Sequence, residues 1–144
     1  MTAPSIPRTY NAADDLVGRN LAAGRGVKLA YIDDSGECTY AQLAERSNRA
    51  GSGLRALGLE MEDRVMIAML DTIDWPAAFL GAIKAGIVPI AANTLLTTRD
   101  YEFMLTDSRA KALLVSEALL PQFAPLLGKI PFLKHVIVSG ANAQ

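Results

Sequence analysis

The side chains that could support chemistry are few and lie far apart in the sequence. Asp33 and Asp34 are adjacent acids after an apolar run, and two carboxylates at a strand end can hold a divalent ion, as in a module that accepts a phosphoryl group. A turn is the favoured interpretation, because Asp, Ser and Gly together suit a tight hairpin. No further acid at the end of the next strand completes a metal pocket.

The one cysteine and the one histidine are both interpreted as structural. Cys38 alone cannot form an internal disulfide, and with His135 it cannot complete a Cys–His metal cluster. Cys38 lies on a predicted strand, which favours packing over a reactive thiol. His135 begins the apolar run HVIV, which favours a strand-end residue over a catalytic base. We therefore predict no catalytic residue and no metal ligand in this sequence.

Phosphate-binding and nucleophile motifs are absent from the sequence. Gly24-Arg25-Gly26 lacks the third glycine of a GxGxxG turn and follows a predicted helix rather than a strand. The GxxxxGK[ST] loop, the GxSxG elbow and the HExxH pair do not occur. The residues alone thus predict a fold and no active site.

Composition narrows the class of protein. Of 144 residues 51% are hydrophobic, which is rich for a soluble domain, while 14 Lys and Arg nearly balance 15 Asp and Glu. No basic run occurs, so we expect no nucleic-acid partner. The longest uncharged apolar segment, 75–83, is far shorter than the roughly 20 residues of a membrane span, so we expect no membrane association. The N-terminus MTAPSIPRTY has no apolar signal core, which predicts a cytoplasmic protein.

The segment 64–96 predicts a strand, a buried helix and a second strand. Residues 65–70 are uniformly apolar, as in a strand covered on both faces. Asp74 is the predicted N-cap of a helix that Gly86 ends. The returning strand, 87–92, must then be parallel to the first, and Pro89 indicates either an edge of the sheet or the first residues of the strand.

The residues before the segment 64–96 predict an arm, a helix, a hairpin and a long helix. Residues 1–10 form an extended arm, and Asn11 caps a helix whose inward face includes Leu16 and Leu21. A hairpin of 29–32 and 37–40 follows. Thr39 and Gln42 form a capping box for a helix that ends at Gly58. Gly51 and Gly53 inside this helix indicate close approach of another backbone.

The residues after the segment 64–96 continue the alternation of helices and strands. A capping box over 97–100 starts a short helix with Tyr101, Met104 and Leu105 facing inward. A strand over 112–115 precedes a helix over 116–127 that Pro121 and Pro125 start late or kink. A last buried strand covers 135–138. The predicted fold class is α/β, a layered parallel sheet with an N-terminal β-hairpin, and residues 11–144 form one partial domain.

Four segments carry a resemblance to a known family: TYAQL at 39–43, LRALGL at 54–59, DRV at 63–65 and AGIVPIAANTLLT at 85–97. Their order and wording over about residues 10–140 resemble the N-terminal domain of the adenylate-forming superfamily, which includes acyl-CoA synthetases, adenylation domains of peptide synthetases and luciferases. Within it, 70–97 looks most similar to benzoate-CoA ligases and their hydroxybenzoate and aminobenzoate relatives.

The resemblance implies a two-step ligase that uses ATP, Mg and CoA. An aromatic carboxylate attacks the α-phosphate to give an acyl adenylate and pyrophosphate, and the CoA thiol then displaces AMP. The family's phosphate loop, adenine motif, ribose-binding aspartate, hinge and catalytic lysine lie beyond this sequence. The resemblance therefore predicts an N-terminal fragment that is inactive alone and whose main partner is the remainder of its own chain. The alternative is a non-catalytic interaction module with the same fold.

Two further expectations follow from the fragment interpretation. A piece of a larger core carries surplus apolar residues, so we expect one exposed apolar face and self-association through it.

The resemblance also places Asn93, Thr94, Leu95 and Leu96 near the entry of the CoA nucleotide, with Leu95 where some members have an arginine. A structural turn is the favoured interpretation of these four residues. For Trp75, in the first turn of a buried helix, a core position is favoured over an aromatic ligand pocket.

Overall fold

The computed structural model describes residues 7–140, and these residues form a layered α/β domain. Residues 7–10 of the predicted arm contain no helix or strand, and the rest of that arm lies outside the described residues. A π-helical turn, Asp14–Gly18, and an α-helical turn, Arg19–Ala22, together make α1. The elements that follow are β1 Leu29–Asp33, β2 Gly36–Thr39, α2 Tyr40–Ala56, β3 Arg64–Ala68, α3 Asp74–Lys84, β4 Val88–Ala91, α4 Thr98–Ser108, β5 Ala112–Ser116, α5 Leu120–Phe123 and β6 His135–Ser139.

The main sheet is parallel throughout and has the order β4-β3-β5-β6. The predicted class and the parallel pairing are confirmed, and so is the edge position of Pro89 on β4. The apolar run of β3 is fully buried because the strand has a neighbour on each side and helices on both faces. The strands β1 and β2 form a separate antiparallel hairpin, as predicted.

Alternate residues of the strands contact different helices. Val65, Ile67 and Leu114 pack with α3 and Leu54 of α2, and we call this side the helix-pair face. Met66, Leu113 and Val115 pack on the other side with α4, α5 and the following turn. The sheet is therefore the middle of three layers.

The helices α2 and α3 cross at a point where only glycine fits. A Cβ built on Gly51 would lie 2.6 Å from the carbonyl oxygen of Gly81, and one on Gly81 would lie 2.5 Å from that of Ser47. The predicted close approach is confirmed at Gly51. It is wrong at Gly53, where nothing lies within 4 Å of a built Cβ. Gly86, with φ of +78°, ends α3 as predicted.

Several predicted details differ from the structure. Leu16 is 58% exposed and does not face the core, because the π-helical turn changes the angular spacing of side chains in α1. The predicted helix over 116–127 is broken into Glu117–Leu119, α5 and Ala124–Leu126, with a proline near the start of each of the last two pieces. The strand β6 lies at the edge of the sheet and is only partly buried, so it is not the buried strand that its sequence predicts.

Candidate functional site

The carboxyl ends of β3, β5 and β6 meet at the place where the connections of the sheet change direction. The chain goes from β3 to β4 on one side, whereas β5 and β6 are added on the other side. Ligands of open α/β sheets bind outside the strand ends at such a reversal. A cleft of ≈ 760 Å³ lies here, bounded by the strand ends and by the hairpin turn between β1 and β2. This cleft is the candidate site that topology selects.

Ser116 holds the ends of the two central strands together inside this cleft. Its side-chain oxygen accepts a hydrogen bond of 2.9 Å from the backbone N–H of Leu70, and only 6% of the residue is exposed. Leu70 lies just beyond the last residue of β3, so its N–H has no partner in the sheet and the Ser116 hydroxyl supplies the acceptor. Ser116 was missed at the sequence level, although a polar residue that closes a buried strand is a usable signal.

Asp33 anchors the hairpin turn to the start of α3. Its carboxylate accepts hydrogen bonds from the N–H of Ser35 at 2.8 Å, of Gly36 at 3.2 Å and of Ile73 at 2.7 Å, and from the Ser35 hydroxyl at 2.5 Å. The Ser35 hydroxyl, and after it the Ile73 N–H, lower the pKa of this carboxyl. These bonds confirm the turn interpretation. Across residues 7–140 no cluster of three or more His, Cys, Asp or Glu side chains could hold a metal ion.

Asp74 has a different role from the one its sequence position predicts. The helix α3 begins at this residue, and no side chain caps it. The Asp74 carboxylate instead lies 3.4 Å from Arg46 of α2 and accepts a bond of 2.9 Å from the Ser139 hydroxyl of β6. The N-cap prediction is wrong because these two partners, distant in sequence, compete for the carboxylate.

The cysteine and the histidine occupy the places that the sequence predicts. Cys38 is 1% exposed, packs with Leu43 and Ile73, and has a thiol pKa raised by burial. Burial and a raised pKa both disfavour the thiolate, so the packing interpretation is confirmed. His135 is the first residue of β6, as predicted for a strand-end residue.

The segment 93–96 forms a turn just after the edge strand β4. The Asn93 side-chain oxygen accepts a bond of 2.8 Å from the N–H of Leu95, and the Tyr101 hydroxyl donates to the Asn93 carbonyl at 2.7 Å. Leu96 packs against the cluster that contains Tyr101, whereas Leu95 is 89% exposed. Thr97 and Asp100 then form the predicted capping box of α4. Residues 93–96 contain no lysine or arginine, so their side chains supply no charged contact to a CoA phosphate.

Trp75 lies at the start of α3 and stacks on Phe79. Their ring centroids are 4.9 Å apart with planes 11° from parallel, and both rings pack against the buried cluster of the helix-pair face. Both rings are only partly buried and also line a pocket of ≈ 350 Å³, so Trp75 lies at the margin of the core and not inside it. In residues 7–140 no helix combines the length and the hydrophobicity needed to cross a bilayer.

A parallel sheet between two helical layers, with a hairpin at its carboxyl edge, places this chain among α/β domains whose ligands bind at the strand ends. The profile described as "AMP-binding enzyme" matches residues 19–144, and the chain belongs to this family.

Three relatives show where in the family the chain falls. It is 63% identical over 143 residues to the benzoate–CoA ligase of Thauera aromatica, a match that covers 99% of this chain and 27% of the relative. It is 42% identical over 133 residues to a 4-hydroxybenzoate–CoA/benzoate–CoA ligase of Rhodopseudomonas palustris, covering 92% of this chain and 25% of that relative. A solved benzoate CoA ligase from Burkholderia xenovorans LB400 superposes with a TM-score of 0.85 at 45% identity, over 94% of this chain and 27% of that one. The superfamily resemblance is confirmed, and the chain spans about a quarter of these relatives.

Proposed function

We propose that this chain is the N-terminal part of an aryl-CoA ligase that joins benzoate or a hydroxybenzoate to CoA through an acyl adenylate. ATP is split to AMP and pyrophosphate in the first step, and CoA displaces AMP in the second. The observation that carries the proposal is the 63% identity over 143 residues to the benzoate–CoA ligase of Thauera aromatica. The aromatic acid, ATP with Mg, and CoA would bind to the whole enzyme.

The charges of the candidate cleft support the view that the fragment alone is inactive. The cleft is lined by acids and by no lysine or arginine. The acidic residues are Asp33, Asp34, Asp71, Asp74 and Glu117. Acidic side chains repel phosphate groups, so these residues supply no counter-charge to the triphosphate of ATP. We propose that cationic groups that bind the phosphates come from the remainder of the enzyme.

An assay of pyrophosphate release tests the proposal. The full reading frame that encodes this chain is expressed beside residues 1–144 alone, and each is supplied with Mg-ATP, CoA and benzoate, 4-hydroxybenzoate or a long-chain fatty acid. We expect turnover with an aryl acid by the full protein only. Turnover by the 144-residue chain would refute the prediction that the fragment is inactive, and a full protein that prefers the fatty acid would refute the aryl assignment. No turnover with any acid would favour the non-catalytic interaction module.

The remaining expectations of the sequence are proposals of the same kind. We place the enzyme in the cytoplasm, where ATP and CoA are available, and cell fractionation tests this location. Self-association of the isolated chain through an exposed apolar face is tested by its sedimentation at several concentrations. A role of Asn93, Thr94, Leu95 and Leu96 near CoA entry is tested by Leu95→Ala in the full enzyme. That change should alter the KM for CoA and leave adenylate formation unchanged.

A further inference from the structure

A pocket of ≈ 350 Å³ lies between α1, the hairpin and the helices α2 and α3. It shares no lining residue with the cleft at the strand ends. Four aromatic side chains line it: Tyr31 of β1, Tyr40 of α2, and the stacked pair Trp75 and Phe79 of α3. Elements that are distant in the sequence therefore build a second concave site, and the candidate cleft makes no use of it.

The size and the lining of this aromatic pocket are typical of a small-molecule site. Sites for small ligands have volumes of roughly 300–1,000 Å³ and are mostly apolar and aromatic, with a few polar groups. This pocket lies at the lower end of that range. Its lining includes the buried residues Val17, Leu43 and Pro76, so one part of it extends into the core. The volume suits a molecule of about one or two rings.

The charge of the lining restricts the ligand to a neutral molecule. Among residues 7–140 no Asp, Glu, Lys, Arg or His lines the pocket. An ionised group that enters an apolar site without a charged partner loses its hydration and gains nothing in return. A carboxylate ion therefore does not fit here. This separates the aromatic pocket from any site at which an aromatic carboxylate reacts.

Trp75 and Phe79 offer a flat surface to an aromatic ring. Their planes are 11° from parallel, and both rings are only half-buried, so part of each remains accessible from the pocket that they line. Aromatic rings attract one another in offset-stacked or edge-to-face arrangements. A planar ligand can extend this pair in either arrangement, which favours an aromatic molecule over an aliphatic one.

Two hydroxyl groups of the lining are available to a polar group of the ligand. In residues 7–140 the hydroxyls of Tyr31 and Tyr40 form no hydrogen bond, whereas the other two tyrosines of the chain each donate one. The side-chain amide of Asn20, which also lines the pocket, is already bonded to the Leu16 carbonyl and to Arg25. Tyr40 is the less exposed of the two tyrosines, so its hydroxyl is the better placed to recognise a ligand.

The helix α1 contributes an independent observation. Its turn Asp14–Gly18 is π-helical, a form that is rare and that occurs frequently at functional sites. Leu16 and Val17 of this turn both line the aromatic pocket. Val17 is 6% exposed and Leu16 is 58% exposed, so the turn contributes both a buried and an open part of the lining.

We propose that the aromatic pocket binds a neutral aromatic molecule of about one or two rings, such as an indole or a phenol. The ring of the ligand lies against Trp75 and Phe79, and its N–H or O–H group bonds to the Tyr40 hydroxyl. The ligand differs from an aryl acid in having no carboxylate. Binding here does not depend on the proposed function, because the residues that form the pocket all lie within this chain.

Photoaffinity labelling of the full-length protein tests the proposal. The probe is trifluoromethyl-phenyldiazirine, a neutral photoreactive molecule with a single aromatic ring. It is irradiated with the protein in the presence or absence of excess indole, and labelled peptides are mapped by mass spectrometry. We expect indole to suppress labelling several-fold in peptides that contain Leu16, Tyr31 or Phe79. Benzoate at the same concentration should not suppress it.

Matched variants of the full-length protein test the contacts. Trp75→Leu should weaken indole binding, measured by calorimetry, by roughly tenfold, because it removes the ring surface. The control is Phe103→Leu, which changes a ring that is 69% exposed on α4 and should leave indole binding unchanged. Tyr40→Phe keeps the ring and loses only the hydroxyl, so it should weaken indole binding several-fold even if Trp75→Leu fails to fold.

Three outcomes would overturn the proposal. One is labelling of these peptides that indole does not suppress, and another is indole binding that no variant weakens more than Phe103→Leu does. The third is no labelling of the pocket at all, because a pocket that another part of the protein or a second copy fills does not admit the probe. Neither measurement requires turnover, so failure here leaves the proposed ligase activity standing, and an inactive protein that binds indole as expected contradicts only that activity.

Discussion

At the residue scale, Asp33 joins two parts of the chain through one carboxylate. It accepts bonds from its own turn and from Ile73 at the start of α3. These bonds lower its pKa in the folded state, so they stabilise the fold at pH values above the unfolded pKa of about 3.9. That stabilisation is lost as the pH falls through the lower folded pKa. We expect Asp33→Ala to lower the unfolding midpoint at pH 7 and to make the midpoint less dependent on pH below 4.

The adjacent acid supplies the control for this prediction. Asp34 is exposed and accepts no hydrogen bond within the described part of the chain, so Asp34→Ala should leave the unfolding midpoint and its dependence on pH close to those of the parent. Urea unfolding at several pH values measures both variants. Equal effects of the two substitutions would show that general charge, and not the bonds of Asp33, accounts for the effect.

Ser116 offers a second prediction at this scale. Removing its hydroxyl in Ser116→Ala leaves the part-buried N–H of Leu70 without its side-chain partner, which costs roughly 0.5–1.5 kcal/mol of unfolding free energy. The control is Ser52→Ala on the exposed side of α2, where we expect a change within about 0.5 kcal/mol. Chemical denaturation compares them. A loss at position 116 no greater than that at position 52 would contradict the assigned bond.

The role of a residue could be predicted from sequence where its partners are close in the chain, and could not where its partners are far away in the chain. Thr39 and Thr97 form capping boxes whose partners lie three residues away, so the sequence contains the whole motif. Asp74 has the same apparent signal, yet its carboxylate binds Arg46 and Ser139, which are 28 and 65 residues away. Nothing local in the sequence encodes that choice.

At the element scale, the crossing of α2 and α3 makes one glycine essential and a neighbouring one dispensable. A methyl group on Gly51 would meet the Gly81 backbone at 2.6 Å, so Gly51→Ala must force the helices apart. We expect a loss of roughly 1–3 kcal/mol, as for an overpacked core.

Gly53→Ala should have the opposite effect. Nothing lies within 4 Å of its built Cβ, and alanine is favoured over glycine inside a helix by roughly 1 kcal/mol. Thermal unfolding of the pair gives two shifts of opposite sign. A stabilising Gly51→Ala would mean that α2 and α3 do not cross as described.

The elements themselves follow closely from sequence, with exceptions that have physical causes. Apolar runs give β3 and β5, and Gly86 ends α3, because burial and backbone conformation act locally. The run HVIV of β6 is as apolar as those strands, but it lies at an edge. The sequence of a strand shows how apolar it is, but the strands and helices that pack against it determine whether it is buried.

At the scale of the whole molecule, the order of the strands depends on contacts between distant segments. Alternating strands and helices predict a parallel sheet, but the placement of β5 on the far side of β3 from β4 is set by the crossover hand and by the packing of α4. The candidate cleft at the strand ends is therefore a product of topology. Only Asp33 and Asp34 among its acids were considered as site residues at the sequence level.

The sheet order also predicts how stability is distributed. The strands β3 and β5 lie between two neighbours and are almost fully buried, so their amides should exchange with solvent only when the whole domain unfolds. In the isolated chain the edge strand β6 should open locally, with amides at least roughly tenfold less protected, equivalent to about 1.4 kcal/mol. Hydrogen exchange followed by mass spectrometry measures both. Equal protection of β5 and β6 in the isolated chain would mean that this edge is already covered.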